Sequence, residues 1–270
     1  MIHRLIGWIV SAGLLFVAPA FAQQPAHAPA ATMPSPGIWT LRTQARFHEL
    51  ENGNKDIEHG TFETGFSRGV VRDVSAGIQI PYRWQDEENQ NSRDGLGDLT
   101  ATVKWRLYKQ DTSPIDTFRL AVIAGLEMPT GESAFSSDSF DPSIGLALTA
   151  IRGRHGVGGA VWWKFNTGDL ADPIVGGDSD ADAVWIDGSY LYRLVPAAYG
   201  VNSKASWYAV LETNALLESN GDSEVRISPG ILYEAVSWAV ECQVAWTLAE
   251  DIDHRPRHRF GTTLGIRWLF

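Results

Sequence analysis

From Trp39 to His48 the chain alternates. Trp39, Leu41, Thr43, Ala45 and Phe47 fall on one side of an extended backbone, and Thr40, Arg42, Gln44, Arg46 and His48 on the other. Successive side chains of a strand point to opposite faces, so this is a strand with one apolar and one polar side. The pattern recurs at Leu99, Ala101, Val103, Trp105 and Leu107 against Thr100, Thr102, Lys104, Arg106 and Tyr108. It recurs again at Trp238, Val240, Cys242, Val244, Trp246 and Leu248 against Ser237, Ala239, Glu241, Gln243, Ala245 and Thr247. Carried along the chain it predicts about 12 strands, an even number as bacterial single-chain barrels have. They span 38–49, 60–69, 73–84, 97–109, 118–128, 142–152, 156–167, 183–194, 204–215, 223–234, 236–248 and 257–270.

A soluble sandwich also alternates, so loops and aromatics decide between the two. The connections at 50–59, 85–96, 129–141, 168–182, 216–222 and 249–256 are mostly longer and acidic. They interleave with shorter ones at 70–72, 110–117, 153–155, 195–203 and 235, the asymmetry of outer-membrane barrels with long outside loops and short periplasmic turns. In an up-and-down order, Trp39, Trp105, Phe118, Tyr192, Trp207, Tyr233, Trp238, Trp268 and Phe270 point outward near the periplasmic end. Phe47, Phe62, Tyr82, Trp84, Trp163, Phe165, Trp246 and Phe260 point outward near the other. Aromatic rings with a polar edge prefer that interface depth, which gives the eleven tryptophans a physical reason. The expected fold is all-β: an antiparallel transmembrane β-barrel of the outer-membrane type.

The ends of the chain fit export. Arg4 precedes an apolar run from Leu5 to Ala18, followed by Ala20-Phe21-Ala22. That is the layout of a secretory signal peptide over 1–22, its run of about 14 residues being too short for a spanning helix. Residues 23–37, rich in Ala and Pro without a hydrophobic period, read as a disordered periplasmic lead-in. The barrel then occupies 38–270. The last strand alternates up to Phe270, and an aromatic carboxy-terminus looks like the terminal strand signal read by the barrel assembly machinery.

Composition narrows the partners. A net charge of −10, one more negative once Arg4 leaves with the leader, argues against nucleic acid. The single cysteine, Cys242, leaves no intrachain disulfide framework, so barrel closure has to supply the stability. Outer-membrane lipid, lipopolysaccharide and a small-molecule solute are the expected partners.

Three stretches resemble the family of phenol meta-pathway transporters (MetA-like), a group of outer-membrane barrels. They are Gly95-Leu96-Gly97-Asp98-Leu99 leading into Lys104-Trp105-Arg106-Leu107; Gly125-Leu126-Glu127-Met128-Pro129-Thr130-Gly131 with Phe140-Asp141-Pro142; and Ser228-Pro229-Gly230-Ile231 followed by Tyr233. The resemblance spans about 60–270 and implies a barrel that passes solutes, without naming one. Locally, Pro129-Thr130-Gly131 reads as a turn closing a strand at Met128. Pro229, inside a strand, must delete a ladder bond, so a bulge or bend is expected there.

Parity turns Arg42, Arg46, Lys104, Arg106, Arg119 and Arg193 into the lumen, with Trp162, Trp185, Tyr108 and Tyr208. Two readings stand. One is a narrow basic-biased passage with aromatic faces beside guanidinium groups, suited to small aromatic or hydrophobic solutes. The other is a plugged structural or adhesive barrel acting through acidic loops, in which these groups pair and fill. Asp86, Glu87, Glu88, Asp94, Asp169, Asp172, Asp178, Asp180 and Asp182 read as a solvated acidic rim, with no trusted ion-binding spacing. An outer-membrane hydrolase comes third: no serine elbow accompanies His27, His48, His59, His155, His254 or His258. An enzyme, a cofactor and a metal are not expected.

Overall fold

A computed structural model describes residues 24–53, 55–87, 91–168, 170, 174–200 and 203–270. The expected signal peptide, and the rim acids Glu88, Asp169 and Asp172, lie outside the described residues. The strands are β1 (Trp39–Asn52), β2 (Lys55–Val71), β3 (Val74–Glu87), β4 (Arg93–Leu96), β5 (Leu99–Asp111), β6 (Thr117–Met128), β7 (Asp141–Arg152), β8 (His155–Lys164), β9 (Ala183–Val195), β10 (Ala205–Glu218), β11 (Ser223–Ala235), β12 (Trp238–Asp251) and β13 (Arg257–Leu269). β4 and β5 both pair with β3 and form one stave with a one-residue register change at Gly97–Asp98. Twelve antiparallel staves result, coinciding with the twelve predicted segments.

The sheet closes because β1 pairs with both β2 and β13. The start of β1 and the carboxy-terminal residue are stitched together where Trp39 N–H donates to Phe270 O at 2.8 Å and Phe270 N–H donates to Trp39 O at 3.1 Å. Closure leaves no sheet edge, so the spanning backbone satisfies its own hydrogen bonds without water. The start of β1 and the end of β13 lie at one rim, here the terminal end; the other rim is the loop end.

The burial pattern is inside out. Exposed side chains include Val103, Ile144, Leu146, Val161, Ile186, Ile231 and Leu264, whereas Gln44, Lys164, Asp187, Glu212, Glu241, Gln243 and Arg267 are buried. An apolar exterior around a polar interior is the arrangement hydrocarbon demands of a barrel. Both aromatic girdles form: Trp207, Tyr233 and Trp238 touch in series at the terminal end, and Phe47–Trp84, Trp163–Phe165 and Trp246–Phe260 pair at the loop end.

Three local expectations change. A β-bulge between Arg106 and Tyr108 reverses parity, so Tyr108 points outward against Phe118 instead of into the lumen. At Pro229 the ladder to β12 opens across Ser228 and Pro229 but the register is kept, with Ile227 facing Trp246 and Gly230 facing Gln243; the bulge lies instead between Val225 and Arg226.

The third change is the largest. Residues 24–36, expected as a disordered lead-in, lie inside the barrel. The Glu212 carboxylate accepts the backbone N–H groups of Ala26 (2.7 Å), His27 (3.0 Å) and Ala28 (2.8 Å). Arg42 donates to Pro25 O and Ala26 O, and Lys104 to Ala30 O and Thr32 O. Ala31 packs on a wall of Ala121, Ala147 and Ala160, all inward and all small. The segment leaves through Pro36 and Gly37 at the turn end of β2. Its alanines are therefore a fit to a lumen seat, which a search for hydrophobic period cannot detect.

Two outcomes test this architecture. The unheated protein should migrate differently from the boiled protein on a detergent gel, because a closed barrel resists detergent alone. Cys242 is exposed on the outward face between Val240 and Val244. A water-soluble maleimide should leave it unlabelled in intact cells, while a cysteine replacing Asp251 at the loop end should label; ready labelling of Cys242 from outside would refute the membrane register.

Candidate functional site

Between the inward N-terminal segment and the loop end lies a chamber of about 540 Å³. Its terminal side is formed by residues 24–36 and its loop side by residues 174–178 of the β8–β9 connection, which also folds inward. Ile174 packs with Leu50 and Ile57. Gly177 N–H donates to Glu218 at 2.8 Å, and Gly177 O accepts from Lys164 at 3.1 Å. Gly177 has φ +86°, and a Cβ there would meet the Trp185 ring at 2.3 Å, so only glycine permits this approach.

Asp178, expected on a solvated rim, is the tip of that inward loop. It bonds Arg83 NH1 at 2.5 Å and lies 3.7 Å from Lys164, which also holds Glu127 at 2.8 Å. Two strand cations facing one lumen supply the partner that draws the loop in.

The candidate residues separate into two layers. Arg42, Arg46, Lys104, Trp162 and Trp185 line the chamber. Trp162 and Trp185 face each other across β8 and β9 and stack with centroids 4.3 Å apart and planes 17° apart. Trp162 Nε1 donates to Asp187 at 3.3 Å, and Asn214 holds the other Asp187 oxygen at 2.8 Å. Arg106, Arg119 and Arg193 also point inward but sit outside the chamber, toward the terminal end. Arg106 pairs with Asp73 at 2.8 Å; Arg119 donates to Thr117 at 3.1 Å; Arg193 donates to Pro196 O and lies 4.0 Å over the Tyr199 ring. Tyr199, from the β9–β10 turn, bonds Tyr208 Oη at 2.7 Å and covers that side of the mouth.

The expected basic bias is weaker than parity alone suggested. Carboxylates Glu63, Asp98, Glu127, Asp141, Asp178, Asp187 and Glu224 line the chamber in nearly equal number to the cations. Arg46 faces Glu63 at 3.5 Å and Arg42 bonds Glu241 at 2.7 Å. Strand parity turns Glu63, Glu127, Glu224 and Glu241 inward together with the cations they pair with; what it does not report is the inward segments these groups hold.

The motif residues build the loop end. Asp98 accepts the N–H groups of Thr130 (3.0 Å), Gly131 (2.9 Å) and Ser137 (2.9 Å), and Glu132 N–H donates to Leu96 O at 2.8 Å. The Gly95–Asp98 motif thus clasps the Pro129–Gly131 turn. Asp141 accepts from Thr167 N–H at 2.7 Å and from Ser139 Oγ at 2.8 Å, tying two loops together.

The barrel is similar to the COG4313 outer membrane channel from Pseudomonas putida F1, with 14% identity, a TM-score of 0.62, and coverage of 92% of this chain and 100% of that one. At that identity the likeness establishes the fold. Lower similarity extends to the NanC porin (11% identity, TM-score 0.48, 85% and 98% covered) and to the beta domain of the Bordetella autotransporter BrkA (14%, 0.49, 88% and 100%). No curated protein sequence matches the chain. Residues 53–250, which contain all three motif stretches, match the family described as "Putative MetA-pathway of phenol degradation". The chain belongs to that family and is an outer-membrane β-barrel.

Proposed function

We propose that this protein is a passive outer-membrane channel for small solutes, aromatic or otherwise hydrophobic ones among them. The chamber carries the reading: a polar cavity of about 540 Å³ in a closed barrel, faced by a stacked tryptophan pair and by guanidinium groups. Planar rings stack on indole faces and guanidinium planes, while paired charges on the wall keep the cavity wetted. The likeness to the Pseudomonas outer membrane channel and the family description support it. Phe270, exposed at the end of the closing strand, would be read during assembly of the barrel.

The second reading, a plugged structural or adhesive barrel, is favoured by the seat of residues 24–36 on Glu212, Arg42 and Lys104. Conductance distinguishes them. Under the channel reading the mature protein conducts in planar bilayers, and Arg46→Glu shifts the anion-to-cation permeability ratio toward cations by about twofold or more, since nearby wall charges set the field in a narrow pore. Replacing Trp162 and Trp185 by Ala should raise conductance and alter uptake of aromatic solutes more than of small sugars. A silent mature protein that conducts only after deletion of residues 24–36 would establish the plugged reading instead.

The Asp178 latch adds a pH dependence. Burial opposes ionisation of Asp178, but the Arg83 and Lys164 charges outweigh it and hold the carboxyl below its usual range. A depressed native pKa means the latch is fully present above the ordinary carboxylate value and is lost only as pH falls through the depressed one. Conductance should therefore hold steady from neutral pH down to the ordinary carboxylate range and change only at more acidic pH in the wild type. Asp178→Asn should show the low-pH level already at pH 7 and no step; superimposable profiles would exclude the latch.

A further inference from the structure

The β-bulge in the closing ladder brings together two histidines that solute passage leaves unused. His48 lies on β1 and His258 on β13, and the register shifts between Glu49 and Leu50. Bulges re-aim side chains, and this one sets the two imidazoles on the same stretch of lumen wall. His48 Nδ1 and His258 Nε2 are 3.1 Å apart. Facing His48 across the ladder is Gly261, and a Cβ built there would sit 2.9 Å from His48 Nδ1 and 3.0 Å from His258 Nε2. The two nitrogens thus border one small space that any side chain at 261 would occupy.

The surroundings fix the tautomer of the neutral His258 ring. Thr247 Oγ1 lies 3.0 Å from Glu224 Oε1, 2.8 Å from His258 O and 3.1 Å from His258 Nδ1. Carboxylate and carbonyl oxygens only accept, so the one hydroxyl proton goes to them, and toward Nδ1 the Thr247 oxygen acts as acceptor. Nδ1 therefore carries the hydrogen, and Nε2 presents its lone pair to His48. A ring held by its far N–H on an oxygen partner is how metal-ligating histidines are oriented.

Two nitrogens bound to one tetrahedral ion at 2.0–2.1 Å lie about 3.3 Å apart, near the observed separation. The guanidinium groups nearby are matched by carboxylates: Arg46 with Glu63, Arg226 with Glu224, and Arg255 with Glu218 and Glu224. On the other side of His48, His59 stacks at 6.3 Å from β2, buried, its Nδ1 without a hydrogen-bond partner. We propose that His48 and His258 form a two-imidazole binding site for a divalent transition-metal ion such as zinc, kept open by Gly261 and oriented by Thr247 and Glu224. Imidazole suits zinc, copper and nickel, whereas magnesium and calcium select oxygen ligands. Among the described residues no group of three or more His, Cys, Asp or Glu gathers as a metal site. The remaining coordination positions accordingly face the chamber, which both histidines line, and take water or a solute oxygen.

The site stands whether or not solutes cross, so its test is binding. Purified barrel in detergent is titrated with zinc by calorimetry and with cobalt by visible absorption, which reports nitrogen ligation. The wild type should take up one ion per barrel, and magnesium none. His48→Ala and His258→Ala should each weaken zinc binding about tenfold or more, and Gly261→Ala should do the same by filling the space. His155→Ala, at the terminal-end turn, should bind as the wild type does. A heat-dependent gel shift verifies closure of each variant, and His258→Gln replaces any alanine variant that fails to close. Absence of zinc uptake by the wild type, or undiminished uptake when both histidines are removed, would overturn the site; the second result would assign the ion to the loop acids.

Discussion

A backbone placed in hydrocarbon finds no water, so every N–H and C=O must be bonded within the protein. For strands this requires a closed ring, and here the closing ladder is β1 against β13, secured by the reciprocal Trp39–Phe270 bonds. Once the ring closes, side chains alternate between lipid and lumen. The apolar half of each strand has only one acceptable side, and the polar half is committed to a confined space that must be filled or solvated.

That space dictates the rest of the structure. A ring of twelve staves encloses more than strand side chains fill, and buried charges lacking partners are costly. The chain answers with two of its own segments. The first is seated by Glu212, Arg42 and Lys104 and by an alanine wall; the second is pinned by Arg83 and Lys164 through Asp178. What neither segment occupies is the chamber, walled by inward residues of the staves. Function is thus confined to what two inward segments leave open.

The strands and girdles were legible because their signal is local: period two, repeated twelve times, with aromatic residues at matching depths. Trp162, Trp185, Arg42, Arg46 and Lys104, all on the inward side by that parity, line the chamber. Other features depend on information not local to a strand. Tyr108 was misplaced because one bulge residue inverts parity downstream. Asp178 read as a rim acid because its partners, Arg83 and Lys164, are distant in sequence. Residues 24–36 have no period of their own, and their order comes from a carboxylate 184 to 186 residues away. Arg106, Arg119 and Arg193 share that face but lie outside the chamber, a difference of height that parity does not report.

The motif stretches follow the same logic at the loop end. Asp98 accepts three backbone N–H groups of a connection more than thirty residues away, and Asp141 joins two loops. These bonds set the frame from which the inward loop descends, so the residues that mark the family specify the mouth's architecture and not the chemistry of what enters. Under the proposed reading that chemistry would reside in residues with no motif of their own: the stacked tryptophans on β8 and β9, and the imidazole row across β2, β1 and β13. Both groups sit on neighbouring staves, where the ladder spacing sets how close their rings lie, and for the imidazoles of β1 and β13 closure of the ring is what brings them together.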